Sequence, residues 1–283
     1  IRQNNLFHQH SYGDFQLLED GKEDAEDLNF DTIKKAIELC IEKQGPVHIN
    51  IPLEEPLYEL VSELPTFPTV EKTIRQKEYE IPSTLVAEWN TSQRIMILVG
   101  TRDYSPELEN QLTQLVKNHS VVVLSEANSN LHHEKFFRHI DRYVFNFTEE
   151  DFKIYAPDLL ITVGQNVVSK KVKQFLRKAH PKQHWHLDEV WQPDTYFALT
   201  EKLLVKPEVF FSKLLKFINL EPSPYFNLWD VLRDKKDAKH EKFLNTVDFS
   251  DFYFFHKTSQ MIPENYNVHF SNSSAIRYAQ LFD

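Results

Sequence analysis

"RIMILVG" (Arg94–Gly100) is a run of five apolar residues closed by a glycine. A strand with one wet face alternates apolar and polar residues, so a short unbroken run reads as a strand buried on both faces. The next stretch has a different period. "SPELENQLTQLVKNH" (Ser105–His119) opens with a capping serine and a proline at the first helical position, then repeats apolar residues at helical spacing. The alternation continues down the chain. "SVVVLSE" (Ser120–Glu126) reads as a strand and "HEKFFRHI" (His133–Ile140) as a short helix. "DLLITVG" (Asp158–Gly164) is a strand, "SKKVKQFLRKA" (Ser169–Ala179) a basic helix and "QHWHLDE" (Gln183–Glu189) a further strand. Buried strands separated by helices predict a doubly wound parallel α/β sheet over residues 93–215. Ligands in such sheets bind beyond the carboxyl ends of the strands, which places Gly100, Ser125–Asn130 and Gly164–Lys170 on the functional edge.

On the N-terminal side, residues 1–30 read as loop. A helix is predicted over Asp31–Lys43, with Asp31 as cap, Ile33, Ala36, Ile37 and Cys40 at helical spacing, and Gly45 as stop. "PVHINIP" (Pro46–Pro52) reads as a short buried strand. Residues 53–82 are proline-rich and carry the charged run "EKTIRQKEYE" (Glu71–Glu80), the composition of an interdomain linker. On the C-terminal side, "PEVFFSKLLKFI" (Pro207–Ile218), an amphipathic stretch to Val247, and "SDFYFFHKTSQMI" (Ser250–Ile262) read as helices. The chain closes on "NVHFSNSSAIRYAQLFD": a predicted strand at Val268–Ser271, a turn at Asn272–Ser274, and a helix from Ala275.

The 283 residues, 41% apolar and 26% charged, suit a soluble globular chain of about two domains. The net charge of −10 opposes nucleic acid as the main partner, because phosphate binding needs a positive surface. It leaves room for small anions at a local basic cluster. No apolar run approaches the ~18 residues of a membrane span, and the opening "IRQNNLFHQH" is polar, unlike a secretory signal. The lone Cys40 excludes an intramolecular disulfide framework and a cysteine-based zinc site. Only five glycines occur. Neither "VGTRDY" nor "VGQNVV" is a dinucleotide or P-loop fingerprint, so a nicotinamide-type site is not expected.

Three side-chain groups remain as candidates. Lys170 and Lys171 open the basic helix behind Ser169, where free backbone N–H groups attract anions, and Lys170, Lys173 and Arg177 share a face. On spacing alone the same residues also describe a solvated helix surface. His184, His186 and Asp188 alternate on one strand face; with no further ligand in the pattern, a pocket-lining or packing strand is the simpler reading than a metal site. Ser273 and Arg277 lie four apart at the start of the last helix, a cap beside a guanidinium suited to a carboxylate. Read physically, that pair is equally a plain cap with a surface arginine.

Several stretches together carry a resemblance. "GPVHINIPLEEPLYE" (Gly45–Glu59), "IRQNNLF" (Ile1–Phe7), "SNL" (Ser129–Leu131), "VG" followed by "VVSKK" (Val163–Lys171) and "SNSSAIR" (Ser271–Arg277) resemble, in order, segments of 2-succinyl-5-enolpyruvyl-6-hydroxy-3-cyclohexene-1-carboxylate synthases, the MenD family of menaquinone biosynthesis. The resemblance implies that residues 1–65 are the end of a pyrimidine-binding domain, 66–92 a linker, 93–215 the middle domain, and 216–283 the start of a diphosphate-binding domain. It implies a cytoplasmic thiamine-diphosphate- and Mg2+-dependent transferase acting on 2-oxoglutarate and isochorismate, a homodimer or homotetramer when whole. By the same resemblance Ser273, Arg277, Lys170 and Lys171 would bind substrate carboxylate. Lys171 stands where some members have arginine, and Glu54 departs from the usual basic or small residue. The family's catalytic glutamate would precede Ile1, and its diphosphate- and Mg2+-binding segment would follow Asp283. The chain is thus expected to be an internal fragment that neither binds the cofactor tightly nor catalyses alone, with no catalytic, cofactor-binding or metal residue of its own. Two alternatives stand beside this: a non-catalytic α/β interaction module, and a thiamine enzyme of the acetohydroxyacid synthase type.

Overall fold

The computed structural model describes residues 3–19, 24–53, 60, 79–263 and 265–282. Glu54 and residues 66–78 of the expected linker lie outside them. The chain forms two compact units, Ile1–Lys77 and Glu78–Asp283.

In the first unit, strands β1 (Asp14–Gln16) and β2 (His48–Asn50) pair in parallel, with helix α1 (Ala25–Lys43) between them in sequence. The helix starts a turn and a half earlier than its apolar spacing suggested. Asp24 is the N-cap residue, and the acidic Glu26 and Asp27 complement the positive end of the helix dipole. Gln44, not Gly45, takes the left-handed conformation that ends it.

The second unit contains the doubly wound sheet predicted over residues 93–215. Strands β3 (Ile95–Val99), β4 (Val122–Ser125), β5 (Leu159–Val163), β6 (Gln183–Leu187) and β7 (Glu201–Leu203) form one parallel sheet in the order β4-β3-β5-β6-β7. Strand side chains alternate between faces. Ile95, Ile97 and Val99 pack with helices α2 (Ser83–Thr91), α3 (Pro106–Lys117) and α7 (Pro207–Leu214). Met96 and Leu98 pack on the other face with α4 (Ile140–Val144), α5 (Glu149–Ile154), α6 (Lys170–Ala179) and α8 (Pro224–Leu244). Every β3 residue is therefore buried, which is why the run has no polar member. Tyr225, Phe226 and Trp229 of α8 are fully enclosed in this second layer, so that helix is structurally part of the sheet domain. Helices α9 (Asp251–Ser259) and α10 (Ser274–Ala279) follow.

Three expectations are corrected. "HEKFFRHI" is not a helix: Phe137 N donates to Val123 O at 2.8 Å and Ser125 N donates to Phe137 O at 3.2 Å, covering the open edge of β4. The adjacent Phe136 and Phe137 enter opposite core layers, which a strand-like segment allows and a helix does not. Val268–Ser271 is not a strand; among the described residues no strand lies beside it to share a ladder. The stretch ahead of β3 is not all linker, because Leu85 and Trp89 of α2 are buried against the sheet.

Candidate functional site

The crossovers run to opposite sides of β3, so the chain direction switches at the carboxyl ends of β3 and β5. Open α/β sheets bind ligands at such a point. Here the loops after β3, β4 and β5 meet. Asn128 Nδ2 donates to Thr101 Oγ1 at 2.5 Å, Thr101 Oγ1 donates to Asn166 O at 3.0 Å, and Asn130 Nδ2 donates to Arg102 O at 2.7 Å. The two glycines make the crossing possible. A Cβ on Gly100 would sit 1.9 Å from Gln165 O, and Gly164 takes a φ of +79°. They serve loop packing against loop, in keeping with the absence of a phosphate-loop pattern around them.

Above these loops lies a cavity of about 600 Å3, lined by Arg102, Asn128, Asn130 and Gln165 from the sheet edge and by His269, Asn272 and Ile276 from the C-terminal segment. Asn128 Oδ1 is buried without a hydrogen-bond partner. Arg102 is engaged by Glu208 at 2.5 Å. The lining is mixed: Asp103 and the Asn128, Asn130 and Gln165 amides stand beside apolar Val168, Val268, Phe270 and Ile276, the Asn128 and Asn130 Nδ2 groups already donate within the loops, and its one arginine is paired.

Lys170 and Lys171 open α6 on the same edge, separated by Ser169 alone from Val168 of the cavity wall. Ser169 caps the helix as expected, its Oγ accepting from Val172 N at 3.0 Å. Lys170 is exposed, and Lys171 Nζ stands 5.0 Å from the centre of the Phe145 ring, a cation–π contact. Arg177 does not join them: its Nε donates to Thr195 O at 2.9 Å and its guanidinium lies over Phe197.

Ser273 and Arg277 are both exposed, and their neighbours Asn272 and Ile276, not they, line the cavity. Ser273 precedes α10 at φ 77° without a side-chain capping bond, so its hydroxyl is not engaged in the cap that the sequence suggested. The adjacent Asn272 takes the local role, its Oδ1 accepting from Ser273 N at 2.7 Å. The structure therefore brings the segment carrying Ser273 and Arg277 to the edge that carries Lys170 and Lys171, while giving no direct contact between the two pairs.

His184 and His186 are buried on β6 and flank Thr162 of β5, within 2.8 Å and 2.7 Å of its hydroxyl. Asp188 turns away to accept from Val190 N and Trp191 N. The histidines are a packing element, and no group of three or more His, Cys, Asp or Glu among the described residues is placed to hold a metal ion.

One residue of the edge escaped the sequence reading. Glu126, directly after β4, is buried, and its carboxylate accepts from Val168 N at 2.6 Å and Ser169 N at 2.7 Å. Burial pushes its carboxyl up to about 7, against the pull of those two amides. A glutamate ending a strand looks like surface; its partners lie more than 40 residues on, so local pattern gives no hint of them.

No protein-family model matches the chain. Among curated proteins it is similar to 2-succinyl-5-enolpyruvyl-6-hydroxy-3-cyclohexene-1-carboxylate synthases. Identity is 41% over 287 residues with that of Flavobacterium johnsoniae, covering 100% of this chain and 51% of the relative. It is 39% over 283 residues with that of Flavobacterium psychrophilum, with 100% and 51% covered. With that of Christiangramia forsetii it is 34% over 305 residues, with 100% and 53% covered. The chain spans about half the length of the curated relatives it matches.

Proposed function

Because this chain belongs to the 2-succinyl-5-enolpyruvyl-6-hydroxy-3-cyclohexene-1-carboxylate synthase family, we propose that it supplies anion-binding walls of a synthase joining 2-oxoglutarate to isochorismate. In that reaction 2-oxoglutarate loses a carboxylate as carbon dioxide, and the electron pair left on the former keto carbon forms the new carbon–carbon bond to isochorismate. Both substrates are anionic, so their carboxylates need fixed cations and N–H donors. Lys170 and Lys171 at the start of α6, with Ser273 and Arg277 on the C-terminal segment, are the residues given this role.

The observation that carries the reading is the shared edge: the C-terminal segment and the loops after β3, β4 and β5 line one cavity beside the start of α6. Thiamine diphosphate and Mg2+ are assigned to other parts of the whole protein, no step is routed through them, and this chain alone is expected to be inactive.

The test is turnover by the whole protein. It should consume 2-oxoglutarate with isochorismate, and Lys170→Ala or Arg277→Ala should each raise KM for an anionic substrate about 10- to 100-fold, the range of a lost charge-assisted hydrogen bond. No turnover with this substrate pair would overturn the reading. Calorimetric titration of the chain alone with thiamine diphosphate and Mg2+ should show no micromolar binding.

A further inference from the structure

We propose that Glu126 is a positioning residue, which fixes the start of α6, and with it Lys170 and Lys171, at the carboxyl edge of the sheet. The inference rests on the carboxylate-binding reading of those lysines. Glu126 is 1% exposed. Its two oxygens are divided between consecutive amides, Oε2 accepting from Val168 N at 2.6 Å and Oε1 from Ser169 N at 2.7 Å. Those are the two residues immediately ahead of α6, whose first two residues are the lysines. A carboxylate is well matched to this place, where unpaired helical N–H groups concentrate positive potential.

The grip is itself anchored. Glu126 N donates to Ser129 Oγ at 2.9 Å, and Ser129 Oγ donates to Val99 O at 2.6 Å, at the end of β3. An unbroken line of hydrogen bonds therefore runs from a central strand, through Ser129 and Glu126, to the peptide units that carry the lysines. The other ionisable groups around the carboxylate are Asp141 of α4, Lys173 of α6 and the buried Tyr196 after β6. The chemistry of the bond set also says why this residue is an acid. Both oxygens must accept, and a glutamine would turn its NH2 against one of the two N–H groups.

The experiment is a double-mutant cycle in the whole protein, using Glu126→Gln, Lys170→Ala and the pair. Glu126→Gln should raise KM for an anionic substrate about 10-fold with kcat within about twofold, and should add less than about threefold in the Lys170→Ala background. Equal losses in both backgrounds, or a fall in kcat at unchanged KM, would overturn the proposal. Amide hydrogen exchange gives a reading independent of turnover. In Glu126→Gln, exchange at Val168, Ser169 and Lys170 should rise at least about 10-fold while Val123 and Ile161 keep their protection. Unchanged exchange at 168–170, or a uniform rise through β4 and β5, would overturn it. If the wild type fails to turn over the two substrates, the substrate reading has failed, and the exchange pattern alone decides the positioning role.

Discussion

Thr162 Oγ1 of β5 lies 2.8 Å from His184 Nε2 of β6, and the same oxygen lies 2.7 Å from His186 Nδ1. The proton positions follow from the far end of the chain. His186 Nε2 is 3.1 Å from Trp191 O, and a carbonyl only accepts, so that nitrogen carries the hydrogen and Nδ1 is bare. Thr162 therefore donates to His186 and accepts from His184 Nε2–H. Both rings are neutral, and His184 Nδ1 is left buried without a partner.

Acid should act on this array. Burial pushes the His184 imidazole down to about 4, and His186 also lies below the ordinary value. A depressed histidine favours the neutral native form. Its contribution is whole above the unfolded value of 6.5 and is lost as pH falls through about 4, by up to about 3 kcal/mol. Ring signals followed by NMR should show His184 still neutral at pH 5. Titration of that ring near 6.5 would contradict the array.

Glu126 should act in the opposite sense. Burial makes the ionised form costly: its carboxyl is raised from 4.5 to about 7, so that part of the folded state's stability is whole below 4.5, where the acid is protonated, and is lost as pH rises through about 7 and the carboxylate that accepts from both amides forms. The unfolding free energy of the wild type, minus that of Glu126→Gln, should fall by up to about 3 kcal/mol between pH 4.5 and 7.5 in urea melts. A difference that grows over that range would count against the burial argument.

Gly100 and Gly164 should differ in tolerance. Alanine at Gly100 drives a Cβ into Gln165 O, a backbone atom 1.9 Å away, and should cost about 3 kcal/mol. Alanine at Gly164 meets Thr101 O at 3.0 Å and mainly carries the left-handed backbone penalty of about 1–2 kcal/mol. Urea midpoints should rank wild type above Gly164→Ala above Gly100→Ala; the reverse order would show that the loop crossing yields more readily than the backbone angle.

Ser129→Ala removes a fully buried hydroxyl that accepts from Glu126 N and donates to Val99 O. Leaving those groups unpaired should cost about 2–3 kcal/mol. A loss below about 0.5 kcal/mol in the urea melt would show that the line from β3 to Glu126 carries no strain-bearing bond.

Strands β3 and β5 and helices α3 and α6 were legible because each is specified locally, by an unbroken apolar run or by a serine cap. Ser105 and Ser169 both accept the expected backbone bond. What could not be read depends on partners remote in sequence. The Phe136–Phe137 pair looked helical, but its geometry is dictated by the free edge of β4. The three-residue β7 exists because β6 offers it a ladder. Helix α2 is short and follows Pro82, and docking of Leu85 and Trp89 gives it a reason to form. At the site, the lysines of α6 were legible from the cap before them, whereas the acid that holds their helix was not.

Helix α4 has only five residues, yet it reaches in two directions. Asp141 receives the Ser169 hydroxyl at the head of α6. Arg142, its covalent neighbour, bonds Asp237 of α8 at 2.9 Å and the carbonyl of Leu281 just beyond α10, while His139 contacts Gln280 O at 3.2 Å. The two segments given carboxylate-binding roles are more than 100 positions apart along the chain, but they are referenced to one peptide unit. Placement error between them accumulates over few joints, as between two fittings drilled from a single datum. A substitution that tilts α4 would carry both together, changing where a bound anion sits more than the separation of the groups that hold it.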